Sequence, residues 1–153
     1  MNLRVIGIGE ILWDLLPAGR QLGGAPANFA YHAHRLGADA SVITREGRDP
    51  AGHDILQRIE EMDLPTSAVE MDDSAPTGSV AVALNAQGIP QYIIHENTAW
   101  DRLTASESAL EAVRQADAVC FGTLAQRHPT SRASIQILIA ASLPLPCFQE
   151  VWQ

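Results

Sequence analysis

The sequence predicts an α/β fold, a parallel sheet with helices against it and a smaller β layer beside it. Three observations predict this. The apolar runs Leu3 to Ile8 and Asp117 to Phe121 suit strands buried on both faces of a parallel sheet. Helical segments with one apolar face alternate with strand-like segments, an order that calls for right-handed crossovers. Between residues 77 and 95 that alternation stops, and two strand-like runs flank a short turn instead.

Taken in order, Leu3 to Ile8 is the first strand, ending at Gly9. Glu10 to Gln21 reads as a second short strand leaving the first, followed by the turn Pro17-Ala18-Gly19. Ala27 to Leu36 is helical, with Gly37 placed as its C-terminal cap. Ala40 to Thr44 is the next strand. Asp49 caps a helix from Pro50 or Ala51 to about Met62, whose Ile55, Leu56, Ile59 and Met62 share one face. Thr77 to Asn85 and Gln91 to His95 pair across Ala86-Gln87-Gly88. Ser106 to Gln115 is a helix, for which Thr104 is the expected N-cap and Glu107 completes a capping box. Asp117 to Phe121 returns to the sheet, and Thr130 to Ala141 is a last helix. No repeat or linker divides the chain.

Composition bounds the function. With 46% hydrophobic and only 5% aromatic residues, the core is built of Ala, Val, Ile and Leu. A net charge of −8, from 10 basic and 18 acidic residues with no basic run, argues against nucleic acid and anionic membranes as partners. The N-terminus reads as a strand and not as a signal peptide. The longest apolar stretch, around Ile135 to Leu145, is too short to span a bilayer and is broken by Pro144 and Pro146. Cys120 and Cys147 sit in no paired motif and read as reduced thiols of a cytoplasmic protein. The five histidines, with no carboxylate completing a set, do not read as metal ligands. Gly7-Ile8-Gly9 lacks the third glycine of a dinucleotide fingerprint, since Leu12 stands there, which excludes a nicotinamide cofactor.

The stretch from Gly23 to Gly47 carries the clearest chemical pattern. Gly23 and Gly24 form a turn that allows close approach of a ligand. Pro26 opens a helix, and Asn28 lies in its first turn, beside N–H groups at the positive end of the helix dipole. Such a turn suits a small polar ligand; an ordinary tight turn before a capped helix has the same residues. Asp14 lies near a strand end inside an apolar segment, where its two oxygens match two adjacent hydroxyls of a ligand. Thr123 and Gln126 follow a sheet strand, and open α/β sheets bind ligands beyond such ends.

The spacing Gly23-Gly24-Ala25-Pro26-Ala27-Asn28-Phe29-Ala30, then Gly37 and Gly47, preceded by Gly9-Glu10-Ile11-Leu12-Trp13-Asp14, resembles the first signature of the ribokinase-like (PfkB) carbohydrate kinases, and of their fructokinase-like members in particular. The resemblance runs from about Val5 to about Leu124. It implies the N-terminal half of a ribokinase-like three-layer α/β/α sandwich, with a small β-sheet lid built from strands at about 10–22 and 77–96. It implies ATP-dependent phosphorylation of a sugar hydroxyl in the cytoplasm, with Mg2+, and a homodimer through the lid. Asp14, Gly23, Gly24 and Asn28 match family positions that hold the sugar, while Ala25 and Gly47 are structural. Tyr92, Ile94 and Trp100 are lid residues that either contact the sugar or serve only packing.

The family's second signature, Asp-Thr-x-Gly-Ala-Gly-Asp, supplies the anion hole and the catalytic base, and no segment of this sequence matches it. No catalytic residue is therefore expected here, and the ATP and Mg2+ sites are expected mostly outside the chain. After the last helix the family shows a strand ending Asp-x-Asn-x-Arg, whereas Phe148 is followed here by Gln149-Glu150-Val151-Trp152-Gln153. The expectation is a truncated or frame-disrupted chain carrying the sugar-binding half. Two alternatives stand beside it: a non-catalytic sugar-binding or subunit-interaction module, and a nucleoside kinase of the same superfamily.

Overall fold

The computed structural model describes residues 2–142 and 146–150. Pro144, Leu145 and the terminal 151–153, used in the sequence reading, lie outside them. The first strand, β1 (Arg4–Ile8), runs through the centre of the molecule, and its successive side chains point to opposite faces, as a pleated strand requires. Val5 belongs to one core and Ile6 to the other.

Five parallel strands form the main sheet in the order β5-β4-β1-β8-β9, with β4 at Asp39–Gly47, β5 at Val69–Asp72, β8 at Ala118–Gly122 and β9 at Cys147–Glu150. On one face lie α1 (Ala25–Arg35) and α2 (Pro50–Glu61), closing over Val5, Ile11, Val42, Ile55 and Ile59. On the other lie α3 (Glu107–Arg114) and α4 (Pro129–Ser142), closing over Ile6, Ile43, Val113, Val119, Ile135 and Leu138. The result is a three-layer α/β/α arrangement. Among the described residues no helix is long and apolar enough to cross a membrane.

A second sheet orders its strands β3-β2-β6-β7, with β2 at Leu12–Leu16, β3 at Gly19–Gly23, β6 at Ser79–Leu84 and β7 at Pro90–Ile94. β2 pairs antiparallel with β3 and parallel with β6, and β6 and β7 form the expected hairpin. The turn expected at Pro17-Ala18-Gly19 thus leads into a full strand. β5 and the short 3-10 turns Ala99–Arg102 and Leu124–Gln126 were also not anticipated.

The capping assignments divide. Asp49 caps α2, its Oδ1 accepting from Gly52 N at 2.8 Å. Its Oδ2 accepts from Thr77 N at 2.9 Å, which ties the α2 start to the approach to β6. Thr104 does not cap α3: Ser106 does, accepting from Ala109 N, while the Thr104 hydroxyl donates to the Glu70 carboxylate at 2.7 Å. The capping box lies instead at Thr98 and Asp101, on the first 3-10 turn.

The buried acid Glu46 should make stability depend on pH. Glu46 of β4 is fully buried; its Oε1 accepts from Thr44 Oγ1 at 3.2 Å, and its Oε2 has no hydrogen-bond partner among the described residues. Burial, with Asp49 nearby, pushes this carboxyl well above its ordinary value despite the Thr44 hydrogen bond. An acid raised on folding contributes stability below its unfolded pKa and loses it as pH rises toward the folded one. Glu46→Gln should therefore melt close to wild type near pH 4.5 and higher than wild type at pH 8. Parallel melting curves across that range in thermal scans would contradict this.

Candidate functional site

β1, β4 and β8 run parallel and end at Ile8, Gly47 and Gly122, so their C-terminal ends lie along one edge of the sheet. Open α/β sheets bind ligands beyond that edge. Two turns and one strand of the second sheet meet there.

The first turn is Gly23–Gly24. Gly24 adopts φ 114°, ψ 118° before α1, a conformation that favours glycine, and any Cβ on it would strike the carbonyl of Glu10. A Cβ on Gly23 would strike the Asp14 carboxylate, so that carboxylate lies directly against the turn. Asp14 sits on β2 in register with Gln21 of β3 and Val80 of β6. It is half-buried, and burial raises its carboxyl above the ordinary value. Asp14, Gly23 and Gly24 are thus brought together: a partly desolvated carboxylate over a side-chain-free turn at a helix N-terminus. That combination can accept from ligand hydroxyls and leaves room for them.

Asn28 stands in the first turn of α1, its N–H donating to Gly24 O at 3.0 Å. Its exposed side chain lines an open, largely apolar groove of about 540 Å³ with Phe29, His32, Ala33, Leu36, Cys120 and Phe148.

The second turn follows β8. Thr123 leads into Leu124–Gln126 and is half-buried. Gln126 folds back, its Nε2 donating to Gly122 O at 3.0 Å. Tyr92 is exposed on β7, opposite Val82. Ile94 packs against the core. Trp100 is fully buried, with Arg127 4.1 Å above its ring and its indole nitrogen directed at Gly78. Of the two roles left open for it, packing is the one that this burial fits.

Sequence reasoning missed two groups. Glu10 is fully buried, and its Oε2 accepts from Ala125 N at 3.1 Å. The only signal was a carboxylate set directly after an apolar strand. Arg127 joins Asp101 and the His95 carbonyl, linking the β8 turn to the end of the lid. Nothing in local spacing marks that set.

The described residues offer no ligand set for the Mg2+ that the resemblance implies. Among the described residues no group of three or more His, Cys, Asp or Glu side chains could hold a metal ion.

Comparison with known proteins adds the family. The model of the pfkB family carbohydrate kinases matches residues 18–142. The chain is 28% identical over 153 residues to a sugar kinase of Pyrococcus horikoshii, covering 91% of this chain and 49% of that one. The crystal structure of that protein, titled an uncharacterized sugar kinase, superposes with a TM-score of 0.83, covering 90% of this chain and 48% of that chain at 27% identity. The same protein has also been solved in complex with ATP. Fructokinase-1 of Zea mays is 30% identical over 133 residues, covering 78% of this chain and 41% of the relative. The chain spans about half the length, or less, of the curated relatives it matches. With the signature turn, the parallel sheet and the second sheet in place, this chain belongs to the pfkB family of carbohydrate kinases.

Proposed function

We propose that this chain is the acceptor-binding part of a fructokinase-like sugar kinase whose ATP and Mg2+ sites and catalytic base lie in further sequence. The observation that carries the reading is the Asp14 carboxylate held against Gly23, at the ligand edge of the sheet. In this reading Asp14 accepts from two sugar hydroxyls, and Gly23 and Gly24 let the ring approach the backbone. Asn28 and the Thr123–Gln126 turn flank the sugar, and the lid strands, with Tyr92, cover it. The sugar is fructose or a similar ketose or keto-acid sugar, and the setting is the cytoplasm. Phosphoryl transfer depends mainly on positioning and charge stabilisation. A chain with the acceptor site alone orients the hydroxyl without activating it.

Exposed apolar residues on the β6–β7 hairpin, Leu84, Ile89, Tyr92 and Ile93, support a homodimer through the lid. They equally suit a subunit-interaction module that binds sugar without catalysis.

Titration calorimetry with D-fructose tests the reading. The wild-type chain should bind, and Asp14→Ala should weaken binding about 10- to 100-fold, the worth of a hydrogen bond to a charged group. A coupled assay on the same sample should show no ATP consumption. Sugar turnover by the purified chain would overturn the assignment of the donor site to further sequence. Equal affinity of wild type and Asp14→Ala would remove Asp14 from the site.

A further inference from the structure

Glu10 costs the fold something that an apolar residue would not. A carboxylate with no solvent exposure is expensive to bury unless its oxygens are well satisfied. Packing alone does not call for one, since the neighbouring core positions Ile8, Ile11 and Leu12 are aliphatic.

Its surroundings indicate what the carboxylate does. Glu10 Oε2 accepts from the N–H of Ala125, 115 residues away, inside the turn that follows β8. A Cβ on Gly122 would lie only 2.8 and 3.0 Å from the two carboxylate oxygens and 3.1 Å from Pro26 Cγ. The carboxylate therefore occupies the space between the end of β8 and the first turn of α1. The Glu10 carbonyl meanwhile fills the place that a side chain on Gly24 would need. One residue thus touches the Gly23–Gly24 turn through its backbone and the Thr123–Gln126 turn through its side chain. These are the two turns that face each other across the sheet edge.

We propose that Glu10 is a positioning residue for the acceptor site, fixing the separation of the Gly23–Gly24 and Thr123–Gln126 turns through the hydrogen bond from Ala125 N–H. The inference rests on the acceptor-site reading above. Glu10 is shielded from any ligand and acts only through the two turns.

The test uses the full chain with D-fructose as probe and two readouts, affinity by calorimetry and exchange of the Ala125 amide by NMR. Glu10→Ala should weaken fructose binding about 2- to 30-fold, the range of a coupling carried through an intervening element, and expose the Ala125 amide to exchange. Glu10→Gln retains an acceptor for Ala125 N–H and should restore both amide protection and most of the affinity. That rescue would not follow if only a buried charge mattered. Gly122→Ala displaces the carboxylate without removing it and should weaken binding in the same direction, which covers the case in which Glu10→Ala does not fold. A folded Glu10→Ala or Gly122→Ala with wild-type affinity overturns the inference alone. No fructose binding by the wild-type chain overturns the acceptor reading and the role of Glu10 with it.

Discussion

Arg127→Ala should destabilise the chain by about 3–5 kcal/mol, the usual consequence of removing one partner from a buried ion pair. Asp101 is 2% exposed and depends on Arg127 from two directions: Nε reaches Oδ1 and Nη2 reaches Oδ2, each at 2.8 Å. Without the guanidinium, Asp101 keeps, among the described residues, Thr98, which donates from its N–H at 3.0 Å and its hydroxyl at 3.3 Å. The ring of Trp100 loses its cover, and the His95 carbonyl loses a donor at 2.6 Å. For a chain of this size that loss is about 6–20 °C in melting temperature.

The pH dependence identifies the cause. In the wild type, burial pushes the Asp101 carboxyl up, but the hydrogen bonds and charge of Arg127, with Thr98, more than offset this and hold it below its ordinary value. A carboxyl depressed on folding contributes stability above its unfolded pKa and loses it as pH falls through the folded one. In the variant the unpaired carboxylate is relieved by protonation. The gap between the two melting temperatures should therefore be widest at pH 7 and narrow below about pH 4. A constant gap would assign the effect to lost packing over Trp100, and no gap at pH 7 would mean that the pair contributes nothing.

Gly7→Ala should be at least as damaging, at about 3 kcal/mol or more. Gly7 lies in the central strand, and its missing side chain is what lets α1 start on top of the sheet. A Cβ there would overlap the Pro26 carbonyl oxygen and lie 2.9 Å from Pro26 C and 3.3 Å from Pro26 Cα, all backbone atoms with no rotamer to yield. Relief requires the first turn of α1 to lift, carrying Gly24 and Asn28 with it. Denaturant unfolding should show the lower midpoint, and any folded fraction should bind fructose poorly. A variant with wild-type stability would mean that α1 has slack on the sheet.

The parallel core was legible because its strands carry their own signal: Leu3 to Ile8 and Asp117 to Phe121 are apolar on both faces. Asp49 was legible as a cap because its partner Gly52 lies three residues on. What stayed hidden depends on distant partners. β5 reads Val-Glu-Met-Asp, too polar to suggest a sheet strand, and it is held there by Arg45, which pairs with both Glu70 and Asp72 at 2.8 Å. β3 alternates poorly because it is exposed along most of its length. Thr104 had the spacing of a cap, but α3 starts at Glu107 with Ser106 as its cap, and the Thr104 hydroxyl donates to Glu70 instead. At the site, Asp14, Gly23 and Gly24 are close in sequence and could be read together. Glu10 and Ala125, or Arg127 and Asp101, meet only after the sheet has formed.

The central place of β1 has a consequence for synthesis. β1 is flanked by β4 and by β8, and its tie from Arg4 N–H to Asp117 spans 113 residues. At ordinary translation rates, on the order of ten seconds pass between the emergence of the two. During that time β1 and β4 present an apolar strand edge with nothing to cover it, the kind of edge on which neighbouring chains pair. Arg4 and Asp39 place charges at the strand ends where such pairing would start. This chain is therefore most vulnerable to aggregation while it is still being made, and slowing elongation before residue 118 should lower its soluble yield more than slowing it afterwards.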